Sequence, residues 1–239
     1  MELKGQVAII TGAARGLGLL VAEALAAEGM QIAGVDLRGD ELRAAMDHLG
    51  NRYGVSTLSI PANIGDERCV VDMVRTVRAQ LGPIDVLINN AGIRETAPVW
   101  ETETAMWDRI HDSNLKGHFL CTREVLRQDM LQRGQGTLIF VSSGSGKKGE
   151  EISSAYCASK WGIIGFAESV TKDLKPTRIR VTSITPGMIE TPMAHESEEW
   201  KLGLQWLDPK HVARAIVYCI KQDPDTIIPE FRIYHRAQV

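Results

Sequence analysis

The chain has 239 residues, of which 44% are apolar and 24% charged, with a formal net charge of −3. That is enough chain to bury a large core in one α/β domain, and an ordinary composition for a soluble globular protein. No dense Lys/Arg stretch offers a footprint for nucleic acid or a membrane surface, and no apolar run reaches the roughly 18–20 residues that a bilayer span needs.

Residues 1–5 run straight into a strand-like segment, which leaves no room for a signal peptide. Cys69, Cys121, Cys157 and Cys219 are widely spaced, with no Cys-x-x-Cys and no His at ligand spacing. They are expected to be free thiols of a reducing cytoplasm. His111, His118, His195 and His211 show no metal spacing with one another, so no metal site is expected.

The first predicted strand, 7–11, is a continuous apolar run, as a strand buried on both faces should be. It passes through Thr11-Gly12-Ala13-Ala14-Arg15-Gly16-Leu17-Gly18 into a predicted helix at 16–28, apolar at 17, 20, 21, 24 and 25. A second strand at 31–36 ends in Asp36, and a third follows at 56–61. Val70, Val71, Val74, Val77 and Leu81 mark a helix over 66–81. A fourth strand, 86–89, runs into Asn90-Ala91-Gly92, and helices follow near 102–112 and 115–133. The fifth strand, 137–142, ends at the Ser142-Ser143 pair, and a helix over 153–175 carries Tyr156 and Lys160. A sixth strand at 178–185, a helix at 208–221 and a short strand near 231–234 complete the chain. Strand and helix alternating in this way imply parallel strands joined by right-handed crossovers. The expected fold is a single doubly wound α/β domain over 1–239, with about seven strands and helices on both faces.

Glycines at the first strand-to-helix junction permit a tight turn and close backbone approach to a pyrophosphate, which the N–H groups of the helix start would bind. The plainer use of Gly12, Gly16 and Gly18 is close helix–strand packing. Asp36 lies 18 residues beyond Gly18, near the roughly 20 expected of a ribose-binding acid. A carboxylate there repels a 2′-phosphate and favours NAD, whereas Arg15 and Arg38 would suit NADP.

Tyr156 and Lys160 are four apart and share a helix face. A phenol titrates near 10, and bringing it to neutrality takes roughly 4 kcal/mol of preferential phenolate stabilisation, for which a neighbouring ammonium has the right sign. Alone, such a pair is usually structural. Here a serine hydroxyl at the end of strand five reaches the same edge of the sheet, where a ligand crevice forms. Local physics does not separate Ser142 from Ser143.

The chain resembles the short-chain dehydrogenase/reductase family over nearly its full length. The matching motifs are Thr11-Gly12-x-x-x-Gly16-x-Gly18, Asn89-Asn90-Ala91-Gly92, Asn114 before Leu115-Lys116-Gly117, Ser143 placed 13 residues before Tyr156, Tyr156-x-x-x-Lys160, and Pro186-Gly187 followed by Thr191. The resemblance implies an NAD(P)-dependent oxidoreductase acting on CH–OH or C=O groups. It implies Tyr156 as general acid/base and Lys160 as the group that lowers its pKa and holds the nicotinamide ribose. Ser143 would orient the reacting oxygen, and Asn114 would hold a water that links Lys160 to solvent. Asn90, Ala91 and Gly92 would line the cofactor cleft. Ile189 and Thr191, beyond Pro186 and Gly187, would hold the carboxamide. Leu17, Leu37, Asn63 and Ile64 complete the expected cofactor set. Asn63-Ile64 replaces the Asp-Val usual in the family, and the tail over 229–239 lacks the Gly-Gly segment in which many members end.

Substrate selection is expected in 94–100, 144–152 and 188–206, with Arg94, Ser145, Met188 and Met193 as candidate contacts. Met188, Met193, His195, Trp200, Leu204 and Trp206 give the last of these a mixed apolar and aromatic face, suited to a lid or to surface packing. The expected substrate is a small alcohol or ketone. Helix 153–175 carries Trp161, Ile163, Ile164, Phe166 and Val170 in more directions than one buried face requires, so a homodimer or homotetramer is expected. The alternatives are an NADPH-dependent 3-oxoacyl or carbonyl reductase and, in another class, a non-catalytic dinucleotide sensor. An epimerase of nucleotide sugars is disfavoured because the chain leaves little room for a sugar lobe.

Overall fold

The computed structural model describes residues 2–196 and 203–239. Among these, seven strands form one sheet in the order β3-β2-β1-β4-β5-β6-β7. They are β1 (Val7–Thr11), β2 (Gln31–Asp36), β3 (Thr57–Pro61), β4 (Ile84–Asn89), β5 (Gln135–Val141), β6 (Arg178–Pro186) and β7 (Glu230–Ile233). Each named pair is parallel. The order reverses between β1 and β4, which opens a crevice at the C-terminal edge of those two strands. The expected doubly wound sheet is therefore present, with every strand limit within two residues of the sequence reading.

Alternating side chains of the strands feed two cores. Ala8 and Ile10 pack with Val21, Leu25, Met46 and Ile216, contributed by α1 (Gly16–Ala27), α2 (Gly39–Tyr53) and α9 (Pro209–Ile220). Val7 and Ile9 pack with Val70, Val74, Leu120 and Ile163, from α3 (Glu67–Gln80), α5 (Gly117–Val125) and α7 (Ser154–Asp173). Helix starts are set by caps. Asp66 accepts from the Cys69 amide at 3.0 Å, and Asp208 from the Lys210 amide at 2.8 Å with Pro209 in the first turn. Both residues thus sit just outside the helices they were expected to begin.

Two features depart from the sequence reading. Helix α2 was not expected, because only Leu42, Met46 and Leu49 of it are buried and glycines stand at 39 and 50. The second is the region between 104 and 133, expected as two helices and found as a helical run with two π turns. It comprises α4 (Thr104–His111), a π turn (Asp112–Lys116), α5, a second π turn (Leu126–Met130) and α6 (Leu131–Arg133). The first π turn carries Asn114, and such turns collect at functional sites. The short α8 (Pro192–His195) lies between β6 and α9.

Opposite the crevice, the buried Asp129 carboxylate accepts from Arg78 Nε at 3.0 Å and Arg133 Nε at 2.6 Å. Arg133 also reaches Asp85 at 3.1 Å and the Ile84 carbonyl. Arg180 is buried and donates to the Cys219 and Ile220 carbonyls that α9 leaves open at its C-terminal end.

Candidate active site

The crevice is built first by the glycine turn. Gly12 and Gly16 have φ of +69° and +61°, a region that favours glycine. A Cβ at Gly12 would lie 2.9 Å from Ala91 Cα, and one at Gly18 would overlap the Gly12 carbonyl. The Thr11 hydroxyl donates to the Ile88 carbonyl at 3.2 Å and accepts from the Asn90 and Ala91 amides, each at 3.0 Å. Asn90 Nδ2 donates to the Thr11 carbonyl at 2.9 Å and the Gly12 carbonyl at 3.3 Å. Asn90 therefore braces the turn. Helix α1 begins at Gly16 with no side-chain cap, and Leu17 is buried beneath it. A bare helix N-terminus behind two left-handed glycines fits the pyrophosphate of a dinucleotide.

Asp36 is buried at the end of β2. One carboxylate oxygen accepts from the Ala14 amide at 3.2 Å and the other from the Arg38 amide at 3.0 Å. The Arg38 guanidinium lies 3.5 Å from the same carboxylate, and Arg15 pairs with Glu196 at 3.1 Å. Both arginines considered for a 2′-phosphate thus have carboxylate partners. Leu37 is 71% exposed. Asn63 uses its amide oxygen to accept from the Gly65 amide at 3.0 Å, and the Ile64 side chain is buried, facing Gly117.

Asn114 is fully buried. Its amide oxygen accepts from the Ile93 amide at 2.8 Å, and its nitrogen donates to the Ile93 carbonyl and the Ser159 hydroxyl, each at 3.0 Å. Gly92 leaves room there: a Cβ would stand 3.1 Å from Asn114 Oδ1 and 3.5 Å from Lys160 Nζ.

The two serines separate. Ser142 donates to the Lys160 carbonyl at 2.9 Å. The Ser143 hydroxyl lies near the Tyr156 phenol and acts to lower its pKa; it accepts from the Ser145 amide at 3.1 Å and donates to the Ser145 hydroxyl at 3.2 Å. Ser145 donates in turn to Glu150 at 2.8 Å, so a polar chain leads from the phenol to a carboxylate. Lys160 Nζ donates to the Val141 carbonyl at 3.1 Å and lies 5.7 Å from the Tyr156 ring centroid; Arg94 Cζ lies 5.9 Å from that centroid. Burial pushes the Tyr156 phenol up to about 12, opposed by the nearby Ser143 hydroxyl and by the charge of Arg94. Burial holds the Lys160 amine down at about 8. The net shift of the phenol is therefore upward.

The far wall follows β6. Pro186 ends the strand, and the Gly187 amide donates to the Ile233 carbonyl at 2.8 Å. Ile189 bridges Leu207, and Thr191 stands beside Gly16. Met193 is 37% exposed. Trp200, one of the aromatic residues expected over the cleft, lies outside the described residues. Three groups near the cleft were not singled out from sequence. They are Glu150; Gln238, whose amide contacts Met188; and His118, whose Nε2 lies 2.9 Å from the Ala91 carbonyl. His118 is one helical turn beyond Asn114, a spacing that could have found it. Its Nδ1 has no partner, and burial, with the nearby Lys160 charge, pushes its pKa down to about 3. Among the described residues no group of three His, Cys, Asp or Glu side chains could hold a metal ion, and no helix is long and apolar enough to cross a membrane.

A family model described as short chain dehydrogenase matches residues 6–202. The 2-dehydro-3-deoxy-L-rhamnonate dehydrogenase (NAD(+)) of Sphingomonas sp. (strain SKA58) is 38% identical over 190 residues, 79% of this chain and 74% of that one. The 3-oxoacyl-[acyl-carrier-protein] reductase FabG of Escherichia coli (strain K12) is 31% identical, covering 85% of this chain and 82% of its own. Among solved structures, a crystal structure of an actinorhodin polyketide ketoreductase variant with NADPH superposes with a TM-score of 0.88 at 29% identity, over 95% of each chain.

Proposed function

Because the chain belongs to the short-chain dehydrogenase/reductase family, we propose that it interconverts a secondary alcohol and a ketone with NAD as its preferred cofactor and Tyr156 as general acid/base. At the level of the family it is an NAD(P)-dependent oxidoreductase acting on CH–OH and C=O groups. The observation that carries the finer reading is the buried Lys160 Nζ 5.7 Å from the Tyr156 ring centroid, with the Ser143 hydroxyl near the phenol.

In this reading bound NAD supplies the hydride acceptor or, when reduced, the donor. Tyr156 Oη gives or takes the proton of the substrate oxygen, and Ser143 orients that oxygen. Arg94 places positive charge beside the phenol, and the Lys160 ammonium, 5.7 Å from the ring centroid, would add to it, the sign needed to draw the phenol down from about 12. Lys160 also holds the nicotinamide ribose. Asn114 pins the Ile93 peptide and lines a water route from Lys160 to solvent. Gly12, Gly16 and Gly18 shape the pyrophosphate cradle, Asp36 accepts the adenosine ribose hydroxyls, and Ile189 and Thr191 face the carboxamide. The preference for NAD is supported by the buried Asp36 and by the carboxylate partners of Arg15 and Arg38. The NADPH alternative draws on the ketoreductase likeness. Comparing kcat/KM with NADH and NADPH decides it, since a strong NADPH preference would overturn this use of Asp36.

On the substrate side, a cation at Arg94 near the phenol suits a hydroxy or keto acid, in keeping with the acid named for the Sphingomonas relative. Phe119 and Trp161 are exposed on α5 and α7, which supports a homodimer or homotetramer through these helices; light scattering reports it. The four free thiols suit the cytoplasm. If wild type and Tyr156→Phe turn over a broad alcohol and ketone panel equally, the chain is a dinucleotide sensor and the catalytic reading fails.

A further inference from the structure

The last turn of the chain lies against the wall that follows β6. The His235 ring accepts from the Ala237 amide at 3.2 Å and the Gln238 amide donates to the His235 carbonyl at 2.9 Å, forming the turn Arg236–Gln238. This turn aims one side chain inward. Gln238 Oε1 accepts from the Met188 amide at 3.1 Å, and Gln238 Nε2 donates to the Met188 carbonyl at 3.0 Å and to the Gln205 carbonyl at 2.8 Å. One primary amide thus meets both polar groups of a single peptide residue, as a neighbouring strand would, and ties in a third group 17 residues on. The Met188 carbonyl also accepts from the Leu207 amide at 2.9 Å, and the Glu190 amide donates to the Leu207 carbonyl at 3.0 Å. Gln238 is therefore a second clasp on the neck where the chain leaves and rejoins the sheet side of the cleft. The approach depends on Gly187. A Cβ there would overlap Gln238 Oε1 and stand 2.6 Å from the Tyr234 ring.

We propose that Gln238 is a positioning residue for the nicotinamide end of the cofactor site. Its amide fixes the Met188 peptide and so sets Ile189 and Thr191, the next groups along the chain. The inference rests on the reading of Ile189 and Thr191 as carboxamide contacts. Asn at 238 is one methylene too short to span the three groups, and Glu puts an acceptor where Nε2 now donates to two carbonyls, so neither reproduces the clasp.

The test separates the two ends of the cofactor. Calorimetry on the full chain measures NAD+ and ADP-ribose, which lacks the nicotinamide, against wild type, Gln238→Ala and Gln238→Glu. Both variants should bind NAD+ on the order of tenfold more weakly while ADP-ribose affinity stays within about twofold. Hydrogen exchange at the Met188 amide should accelerate in both. Equal weakening toward both ligands overturns the proposal, because it marks general destabilisation, and so does unchanged NAD+ affinity. A wild-type chain that binds neither ligand overturns the cofactor reading itself, and the positioning role with it.

Discussion

Ser142 and Ser143 are adjacent in sequence but serve opposite sides of β5. The first hydroxyl is bonded to the Lys160 carbonyl at 2.9 Å, and the second faces the Tyr156 phenol. Ser143→Ala should lower kcat by on the order of 10²–10³, as loss of one oriented hydrogen-bond partner does, with stability little changed. Ser142→Ala removes a buried hydroxyl bond to a carbonyl that also lies within α7 and should lower stability by about 0.5–1.5 kcal/mol while turnover falls only slightly. Urea titration and steady-state kinetics on both variants check the split; equal kinetic losses would refute it.

Lys160 makes the site expensive to keep folded. Its amine titrates at about 8 in the folded protein against an ordinary 10.5. Between those values the unfolded chain binds more protons, so stability rises with pH through that window, and below it the folded protein carries a buried cation. Lys160→Met should therefore be more stable than wild type at pH 7, by about 1–3 kcal/mol, and inactive. The gain should shrink to a small remainder by about pH 10.5, where the folded amine is neutral and the unfolded one half-deprotonated. Denaturant unfolding at pH 7, 9 and 10.5 measures it. A less stable variant at pH 7 would mean that the bond to Val141 outweighs desolvation.

His118 acts at the acid end. Its folded value of about 3 lies below the ordinary 6.5, so the unfolded chain takes up the proton first and stability falls as pH drops from about 6.5 to 3. His118→Gln retains a donor for the Ala91 carbonyl and removes the titrating ring. Its acid-unfolding midpoint, followed by circular dichroism, should lie lower than that of wild type by roughly half a pH unit or more. An unchanged midpoint would assign acid lability to other groups.

Asp36→Ser removes the carboxylate that engages Arg38. The ratio of kcat/KM for NADPH over NADH should rise by on the order of 10–100-fold, since a repulsive charge disappears and a guanidinium is released toward the 2′ position. A ratio unmoved by the substitution would show that another residue sets cofactor choice.

Arg94→Ala should raise KM for hydroxy acids by about tenfold or more while leaving neutral secondary alcohols within a few-fold, the loss expected for one charge-assisted contact. An equal rise in KM for both classes would show that Arg94 does not read the carboxylate.

Strands were legible because burial on both faces leaves continuous apolar runs such as Val7–Thr11. Helix α2 was not, because it shows the core only Leu42, Met46 and Leu49, and Gly50 is where the helix comes close to Thr57 of β3, a tertiary demand with no local mark. The spacing of Tyr156, Lys160, Ser143 and Asn114 foretold side chains that the fold does bring together. Which serine turns inward depends on strand pleat against a helix far along the chain. Gln238 carries no sequence signal at all, since its partners lie 33 and 50 residues away.

The mutual bracing of Thr11 and Asn90 limits how this molecule can be recombined. The turn after β1 and the end of β4 are separate in the chain, yet each completes the hydrogen bonds of the other. Exchanging β1 and α1 alone with a homologue would import a turn shaped for a different partner and strand the amides of Asn90 and Ala91. A chimera that keeps its cofactor must carry both segments, so the heritable unit of cofactor binding here is a pair of loops that no single crossover point encloses without everything between them.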